Sequence, residues 1–200
     1  MRPNYLQETQ KRIASAPAGY VFVASDLADI AENRRISVCL ERMTKENMIC
    51  RIMRGVYYKP EFSKLLGENI APAPDAVAHA IARNYGWTIV PSGDTALNIL
   101  GLSTQVPSVW SYVSDGTYKE YSYDRTTISF KRTTNKEISR LSEKTAIVIQ
   151  ALKALGTEHI DDEIIEKIKS ITSDEERTVM LTEAQYSTSW IYEIIKRICR

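Results

Sequence analysis

The residues from Ser25 to Lys59 constrain the fold most strongly, because a helical pattern of apolar residues gives way there to a strand pattern around a tight turn. Leu27, Ile30 and Ala31 recur at the spacing of one helix face. Ser25 precedes them, and serine favours the N-cap of a helix. The stretch therefore predicts a short helix that begins at Ser25. A second helix follows, and its apolar side is formed by Ile36, Cys39, Leu40 and Met43.

The opposite side of this second helix is basic. Arg35, Arg42 and Lys45 fall together there, flanked by Arg34 and Ser37. A helix docked in the major groove of DNA needs an apolar side that holds it on its domain. It also needs cationic or hydroxyl side chains that meet phosphates and base edges, and arginine can pair bidentately with guanine. This division of faces predicts a recognition helix.

After the basic helix, the sequence predicts a two-stranded hairpin. Residues 49–53 and 56–58 are rich in β-branched and aromatic types, and Arg54-Gly55 supplies a tight turn. Helices followed by such a hairpin are typical of a winged helix-turn-helix, which we predict for residues 1–60. Two alternatives remain open: the basic face is only solvated, or the module contacts protein instead of DNA. The cations of the hairpin, which suit a wing on the DNA backbone, are Arg51, Arg54 and Lys59.

The whole chain is predicted to be an α+β protein: an N-terminal winged helix-turn-helix, a small mixed α/β unit and C-terminal helices. A helix over 4–15 and a strand over 20–23 belong to the N-terminal module. Residues 61–74 contain two prolines near their end and predict an irregular linker. The small mixed unit is expected over 75–135, and the helical region over 136–200.

Turn residues divide the mixed unit into its predicted elements. Asp75 is expected to cap a helix that Gly86 ends, and a short helix from Thr95 closes at Gly101. The predicted strands cover residues 87–90, 109–113, 119–123 and 126–131. Apolar residues at helical spacing then predict four further helices, over 141–155 and 160–171, from 174 onward, and around 190–198.

Tyrosines accompany the predicted strands of the mixed unit. Aromatic side chains on a small sheet can stack single-stranded bases. They can also pack a sheet against a helix while their hydroxyls stay in water, and we favour this packing role. The tyrosines in question are Tyr112, Tyr118, Tyr121 and Tyr123.

The formal net charge of +1 hides an uneven distribution. Residues 1–60 hold ten Lys and Arg against six Asp and Glu, a net charge of +4, whereas residues 61–200 carry −3. The cationic excess thus lies in the part of the chain predicted to meet a polyanion. No apolar run reaches the roughly 18 residues of a membrane span, and no signal peptide is recognisable. We therefore expect a cytoplasmic protein without a membrane partner.

The sequence shows no pattern of catalytic or metal-binding residues. Cys39, Cys50 and Cys199 lack metal-ligand spacing, and Cys39 lies on the apolar stripe, where a buried and inert thiol is expected. The only histidines, His79 and His159, belong to no HExxH motif. We expect a protein that is not an enzyme, with no catalytic residue, no metal and no cofactor.

Three stretches carry a resemblance to a known family. They are GVYYKP after the basic helix, then WTIVPSGDTALNILGLSTQVP, and then TTISFKRT. Together they make residues 5–132 similar to the AbiEi-type antitoxins of abortive-infection (type IV) toxin–antitoxin systems. The matching positions are Gly55, Val56 and Tyr57 in the wing motif, and Ala96, Leu100, Gly101 and Leu102 at a helix end.

The resemblance implies a bacterial protein that binds double-stranded operator DNA, represses its own operon and counteracts a nucleotidyltransferase toxin encoded beside it. A homodimer is a further expectation, because the last predicted helix is apolar and could pair with a second copy. A dimer would suit a symmetric operator. The alternative is an orphan winged-helix transcriptional regulator, or a protein-interaction adaptor without a toxin. The DNA-binding positions carried over are Arg34, Arg35, Ser37, Arg42 and Lys45 on the recognition helix, and Arg51 and Arg54 on the wing.

Overall fold

The computed structural model describes residues 4–65, 67–134, 138 and 140–200. It confirms the α+β class, and it divides the chain into two compact units, of which the first ends at Trp87 and the second begins at Thr88. In the described part of the chain, no helix combines the length and the apolar character that a membrane crossing requires.

Among its described residues, the first unit combines three α-helices with two small antiparallel sheets. One sheet has the strand order β1-β3-β2, and β4 pairs with β5 in the other. In chain order the elements are α1 (Tyr5–Ser15), β1 (Val21–Val23), a 3-10 turn (Ala24–Leu27), α2 (Asn33–Lys45), β2 (Cys50–Met53), β3 (Val56–Tyr58), β4 (Glu61–Ser63), β5 (Glu68–Ile70) and α3 (Pro74–Tyr85).

Local sequence patterns account for most of these elements. Asn4 caps α1, because its side chain accepts a hydrogen bond from the Gln7 amide. The predicted hairpin is confirmed, and Gly55 forms its turn with a φ of +84°, a conformation that glycine adopts without steric cost. The predicted early strand is also confirmed, since β1 pairs antiparallel with β3. The core between these elements contains Ile13, Phe22, Leu27, Ile36, Leu40, Met43, Ile49 and Tyr57.

The predicted helix that begins at Ser25 is wrong, because a short 3-10 turn occupies its place. Ser25 is exposed and does not cap it. Instead, the carboxylate of Asp26 accepts a hydrogen bond from the Val23 amide at 3.0 Å. The same carboxylate also accepts two hydrogen bonds from Arg83, at 2.9 and 3.0 Å. A contact distant in sequence therefore helps to fix the orientation of the Asp26 side chain.

The irregular linker predicted over 61–74 is also wrong. Within this range, Glu61–Ser63 pairs antiparallel with Glu68–Ile70 as β4 and β5, and the Gly67 amide donates to the Ser63 carbonyl at 2.9 Å. The helix that follows begins at Pro74, a residue favoured in the first turn, with Asp75 inside that turn rather than at the cap. This helix, α3, packs against β1 and β3. The first unit therefore continues to Trp87, beyond the predicted module end at residue 60.

The second unit is built on a four-stranded mixed sheet with the order β6-β7-β9-β8, in which β7 and β9 run parallel. Its elements in chain order are β6 (Ile89–Pro91), α4 (Asp94–Ile99), β7 (Val109–Ser114), β8 (Lys119–Tyr123), β9 (Thr126–Arg132), α5 (Glu143–Leu155), α6 (Asp162–Ser170), α7 (Asp174–Glu183) and α8 (Ser189–Ile198). Two 3-10 turns, Thr157–His159 and Ala184–Tyr186, connect α5 to α6 and α7 to α8.

The C-terminal helices share one core with the sheet and α4. α5 lies at its centre and contacts β6, α4, α7 and α8. The expected boundary between residues 135 and 136 lies outside the described residues, and α5 to α8 complete the second unit. The apolar stripe of α8, which motivated the homodimer expectation, is buried in this core of the same chain. It consists of Ile191, Ile195 and Ile198.

Candidate nucleic-acid interface

The two sides of α2 differ as the sequence predicts. Ile36, Leu40 and Met43 are buried and anchor the helix on the first unit, and Cys39 is half-buried at the edge of the stripe. The opposite side is in solvent. All five predicted side chains of this helix are exposed there, namely Arg34, Arg35, Ser37, Arg42 and Lys45. We call these five residues the cationic face.

Two cations of this face bind carboxylates next to them. The Arg35 Nε lies 2.8 Å from Glu32 Oε1, and this hydrogen bond raises the pKa of Arg35. The Arg42 Nε lies 2.9 Å from Glu46 Oε1. The two arginine side chains remain 57% and 64% exposed, so both ion pairs lie in water. Exposed pairs of this kind are weak, and the guanidinium groups stay available to an external anion.

Arg35 has a second neighbour in the first unit. Its guanidinium carbon lies 5.4 Å from the centroid of the Tyr5 ring, within the range of a cation–π contact. Tyr5 is the first residue of α1, so α1 helps to orient this arginine. The Ser37 hydroxyl donates to the Asn33 carbonyl at 2.8 Å and keeps its lone pairs accessible.

The exposed side of α2 also contains two residues that the sequence analysis did not single out. Val38 is 63% exposed, and Glu41 is exposed beside it. Val38 lies four residues after Arg34 and four before Arg42, so the cations surround it on the helix surface. Helical spacing places Val38 off the buried stripe of α2 and so predicts its exposure, but an apolar side chain gives no charge signal of a binding surface.

The hairpin presents Arg51 and Arg54 in solvent, as predicted. The Arg51 Nε donates to the Met53 carbonyl at 3.3 Å, where the register of β2 against β3 shifts. Arg54 occupies the turn itself. A Cβ added to Gly55 would lie 3.2 Å from the Asn84 Oδ1, which shows how closely α3 approaches this turn.

Lys59 does not belong to this surface. Its Nζ donates to the carbonyls of Ala14 and Ala16 at 2.7 and 2.6 Å. The side chain therefore satisfies acceptors at the C-terminal end of α1, which have no partner within that helix. Its predicted contribution to a wing on the DNA backbone is wrong, because the ammonium group already serves a structural purpose.

The histidines and cysteines considered from the sequence show no arrangement typical of a catalytic or metal site within the described residues. His159 bonds to the Leu155 carbonyl through Nδ1 at 2.9 Å, and His79 Nε2 lies 3.7 Å from Asp75 on the same helix. All three cysteines are free, and burial raises the pKa of the Cys39 and Cys199 thiols. Across the described ranges, no cluster of three or more His, Cys, Asp or Glu could hold a metal ion.

Packing accounts for three of the four tyrosines considered for base stacking. Tyr112 is fully buried, and its ring centroid lies 5.8 Å from that of Phe130. Tyr121 meets the same Phe130 ring edge-on at 6.0 Å. Burial raises the pKa of Tyr123 to about 12. Only Tyr118 of the four is largely exposed, so they do not form a stacking platform.

Comparison with known proteins gives a family but no activity. The model of one family, described as "Family of unknown function (DUF6088)", matches residues 8–180, and the chain belongs to that family. No curated protein matches the chain. The crystal structure of the RV2827C protein from Mycobacterium tuberculosis is similar at a TM-score of 0.48 and 11% sequence identity, over 98% of this chain and 76% of that one.

Proposed function

For this member of the DUF6088 family, we propose a double-stranded DNA-binding function in which α2 enters the major groove and the β2–β3 hairpin contacts the backbone. The observation that carries the proposal is the division of α2. Its apolar stripe is buried in the first unit, while the entire cationic face is exposed. A helix anchored on one side and cationic on the other has the surface that groove binding requires.

The order of elements supports the same proposal. A helix, a strand, a short turn, a second helix and a hairpin succeed one another in the first unit, as in a winged helix-turn-helix. The segment before α2 is a 3-10 turn instead of a full helix, so the proposed helix-turn-helix would lack a complete first helix. Arg51 and Arg54 are exposed on the hairpin, and in this arrangement they would neutralise phosphates beside the groove.

Salt dependence provides a first quantitative test. Six arginines and lysines contribute to the proposed surface, and each phosphate contact adds about −0.9 to the slope of log affinity against log salt. A slope of up to about −5 is therefore expected for the full chain on duplex DNA. The six cations are Arg34, Arg35, Arg42, Lys45, Arg51 and Arg54.

Substitution of two cations tests the recognition helix directly. The double variant Arg35→Ala/Arg42→Ala should bind DNA from the region upstream of its own gene at least about tenfold more weakly than the unmodified chain. The matched control is Arg125→Ala/Lys167→Ala, which removes two exposed cations of the second unit. Fluorescence anisotropy gives both affinities. Equal affinities of the two double variants would exclude α2 as the recognition helix.

The antitoxin part of the proposal is supported by the AbiEi resemblance over residues 5–132. It includes repression of the protein's own operon and counteraction of a nucleotidyltransferase toxin, and it assigns no enzymatic activity to this chain. Co-expression with the neighbouring nucleotidyltransferase gene tests it through bacterial growth. Rescue of growth by the full chain supports an antitoxin. DNA binding without rescue, or without such a gene beside it, supports an orphan regulator.

A protein-interaction adaptor predicts a different set of results. Such a chain would show no saturable binding to duplex DNA even at low salt, where electrostatic attraction is strongest. Removal of the C-terminal helices is unsuitable for separating the two functions, because α5 to α8 supply much of the core of the second unit. Full-length chains with surface substitutions are therefore the appropriate reagents.

A further inference from the structure

An uncharged, apolar side chain occupies the middle of the exposed side of α2. Val38 is 63% exposed. Arg34 and Arg35 precede it by four and three residues, and Glu41 and Arg42 follow it by three and four, so three cations and one carboxylate are its nearest neighbours on the helix surface. The cationic face therefore encloses a methyl-bearing position that cannot attract phosphate.

Exposure by itself does not distinguish this valine. Single exposed apolar residues are common on protein surfaces, and Val179 on α7 is 43% exposed in the second unit. Position distinguishes Val38. A helix that enters the major groove turns its centre toward base edges and its flanks toward phosphates. The methyl group of thymine is the apolar feature that bases present in that groove.

We propose that Val38 is a specificity-determining residue that contacts the 5-methyl group of a thymine in the bound duplex. The inference rests on the proposed function, because it assumes that α2 lies in the major groove. The surrounding cations would supply affinity that is largely independent of sequence. Val38 would add a preference for thymine at the base pair it faces.

The expected size of the preference follows from apolar burial. One methyl group removed from water contributes about 0.8 kcal/mol, which corresponds to roughly a fourfold change in affinity. Replacing thymine by deoxyuridine removes this methyl group alone and keeps every hydrogen-bonding group of the base. Replacing Val38 by alanine removes the partner and slightly favours the helix, so unfolding would not explain a loss of affinity.

The experiment begins with a duplex selected by the full-length chain from a random-sequence pool. Each thymine of that duplex is then replaced singly by deoxyuridine, and dissociation constants are measured for the unmodified chain, Val38→Ala and the control Val179→Ala. We expect one or two replacements to weaken binding of the unmodified chain and of Val179→Ala about fourfold. The same replacements should leave binding of Val38→Ala unchanged.

Two outcomes overturn the inference, and they are distinguishable. If the chain binds duplex DNA but no deoxyuridine replacement weakens it, or if Val38→Ala remains as sensitive as the unmodified chain, Val38 does not read thymine and the DNA-binding function stands. If no duplex is bound saturably, the proposed function fails and the inference fails with it.

Discussion

Asp26 joins three parts of the first unit through one carboxylate. It accepts from the Val23 amide at 3.0 Å, and it binds Arg83 of α3 through two hydrogen bonds of 2.9 and 3.0 Å. Its side chain is only 16% exposed. Arg83 also donates to the Val21 carbonyl at 3.3 Å, so the pair attaches α3 to β1. We expect Asp26→Ala to destabilise this unit selectively.

The magnitude follows from the two interactions that alanine removes. Loss of a carboxylate that accepts a backbone amide at the start of a helical turn costs about 1 kcal/mol. Loss of the bidentate pair costs about 1 kcal/mol more, since Arg83 is partly exposed and water replaces some of its contacts. The free energy of unfolding of the first unit should thus fall by about 2 kcal/mol.

Hydrogen exchange measured by mass spectrometry suits a chain with two units, because it reports each segment separately. Amides of β1 and α3 should exchange up to about 30-fold faster in Asp26→Ala, with no change in α5. Asp29→Ala is the matched control, since Asp29 is 59% exposed and pairs with the exposed Arg12. Its effect should stay below about 0.5 kcal/mol. Equal acceleration by both substitutions would refute the assignment of Asp26 as a structural centre.

Three other substitutions give separate tests. Gly55→Ala should destabilise the hairpin by about 1–2 kcal/mol, because its φ of +84° is unfavourable for alanine. Adding Asn84→Ala removes the side chain that the new Cβ would meet, and it should restore little of the lost protection of the hairpin amides from hydrogen exchange. Burial holds the pKa of Tyr123 at about 12, above the ordinary 10, so this residue stabilises the second unit below pH 10 and the stabilisation is lost as pH rises to 12. Between pH 10 and pH 12, the free energy of unfolding measured in urea should fall by about 1–2 kcal/mol less for Tyr123→Phe than for Tyr186→Phe, a control at an exposed tyrosine. Equal decreases for the two variants would contradict the burial argument. Arg54→Ala should reduce the steepness of the salt dependence of DNA binding by about 1, and an unchanged slope would remove the hairpin from the interface.

Elements with a buried stripe could be predicted from the sequence because their signal is local. In α2, Ile36, Leu40 and Met43 repeat within eight residues, and in the hairpin Gly55 separates two strand-like segments. The β4–β5 hairpin offers no such signal, because its side chains are largely exposed and no alternation of buried positions marks it. The extent of the first unit depends on α3, whose attachment uses pairs distant in sequence, such as Asp26 with Arg83.

Only part of the candidate surface could be predicted from the sequence, because local patterns are visible there and contacts between distant residues are not. Charges on α2 are visible from helical spacing, but the fate of each cation depends on its neighbours in space. Lys59 illustrates this, since the carbonyls that hold it lie 45 and 43 residues earlier in the chain. Val38 shows a different limit, because helical spacing predicts that it is exposed but an apolar side chain carries no charge that would mark it as part of a binding surface.

The ion pairs of Arg35 and Arg42 affect how this surface could bind DNA. Arg35 pairs with Glu32, which precedes the first residue of α2, and Arg42 pairs with Glu46, which follows its last residue. All four side chains are exposed. Breaking these pairs therefore exposes no buried charge and requires no movement of the helix. Under the proposed function, a phosphate or guanine replaces the glutamate carboxylate as the acceptor for each arginine. Water already competes for these exposed ion pairs, so the replacement costs little free energy. In such a complex the same carboxylates would oppose the approach of phosphates that no arginine contacts, which would favour correctly placed duplexes over loosely bound ones.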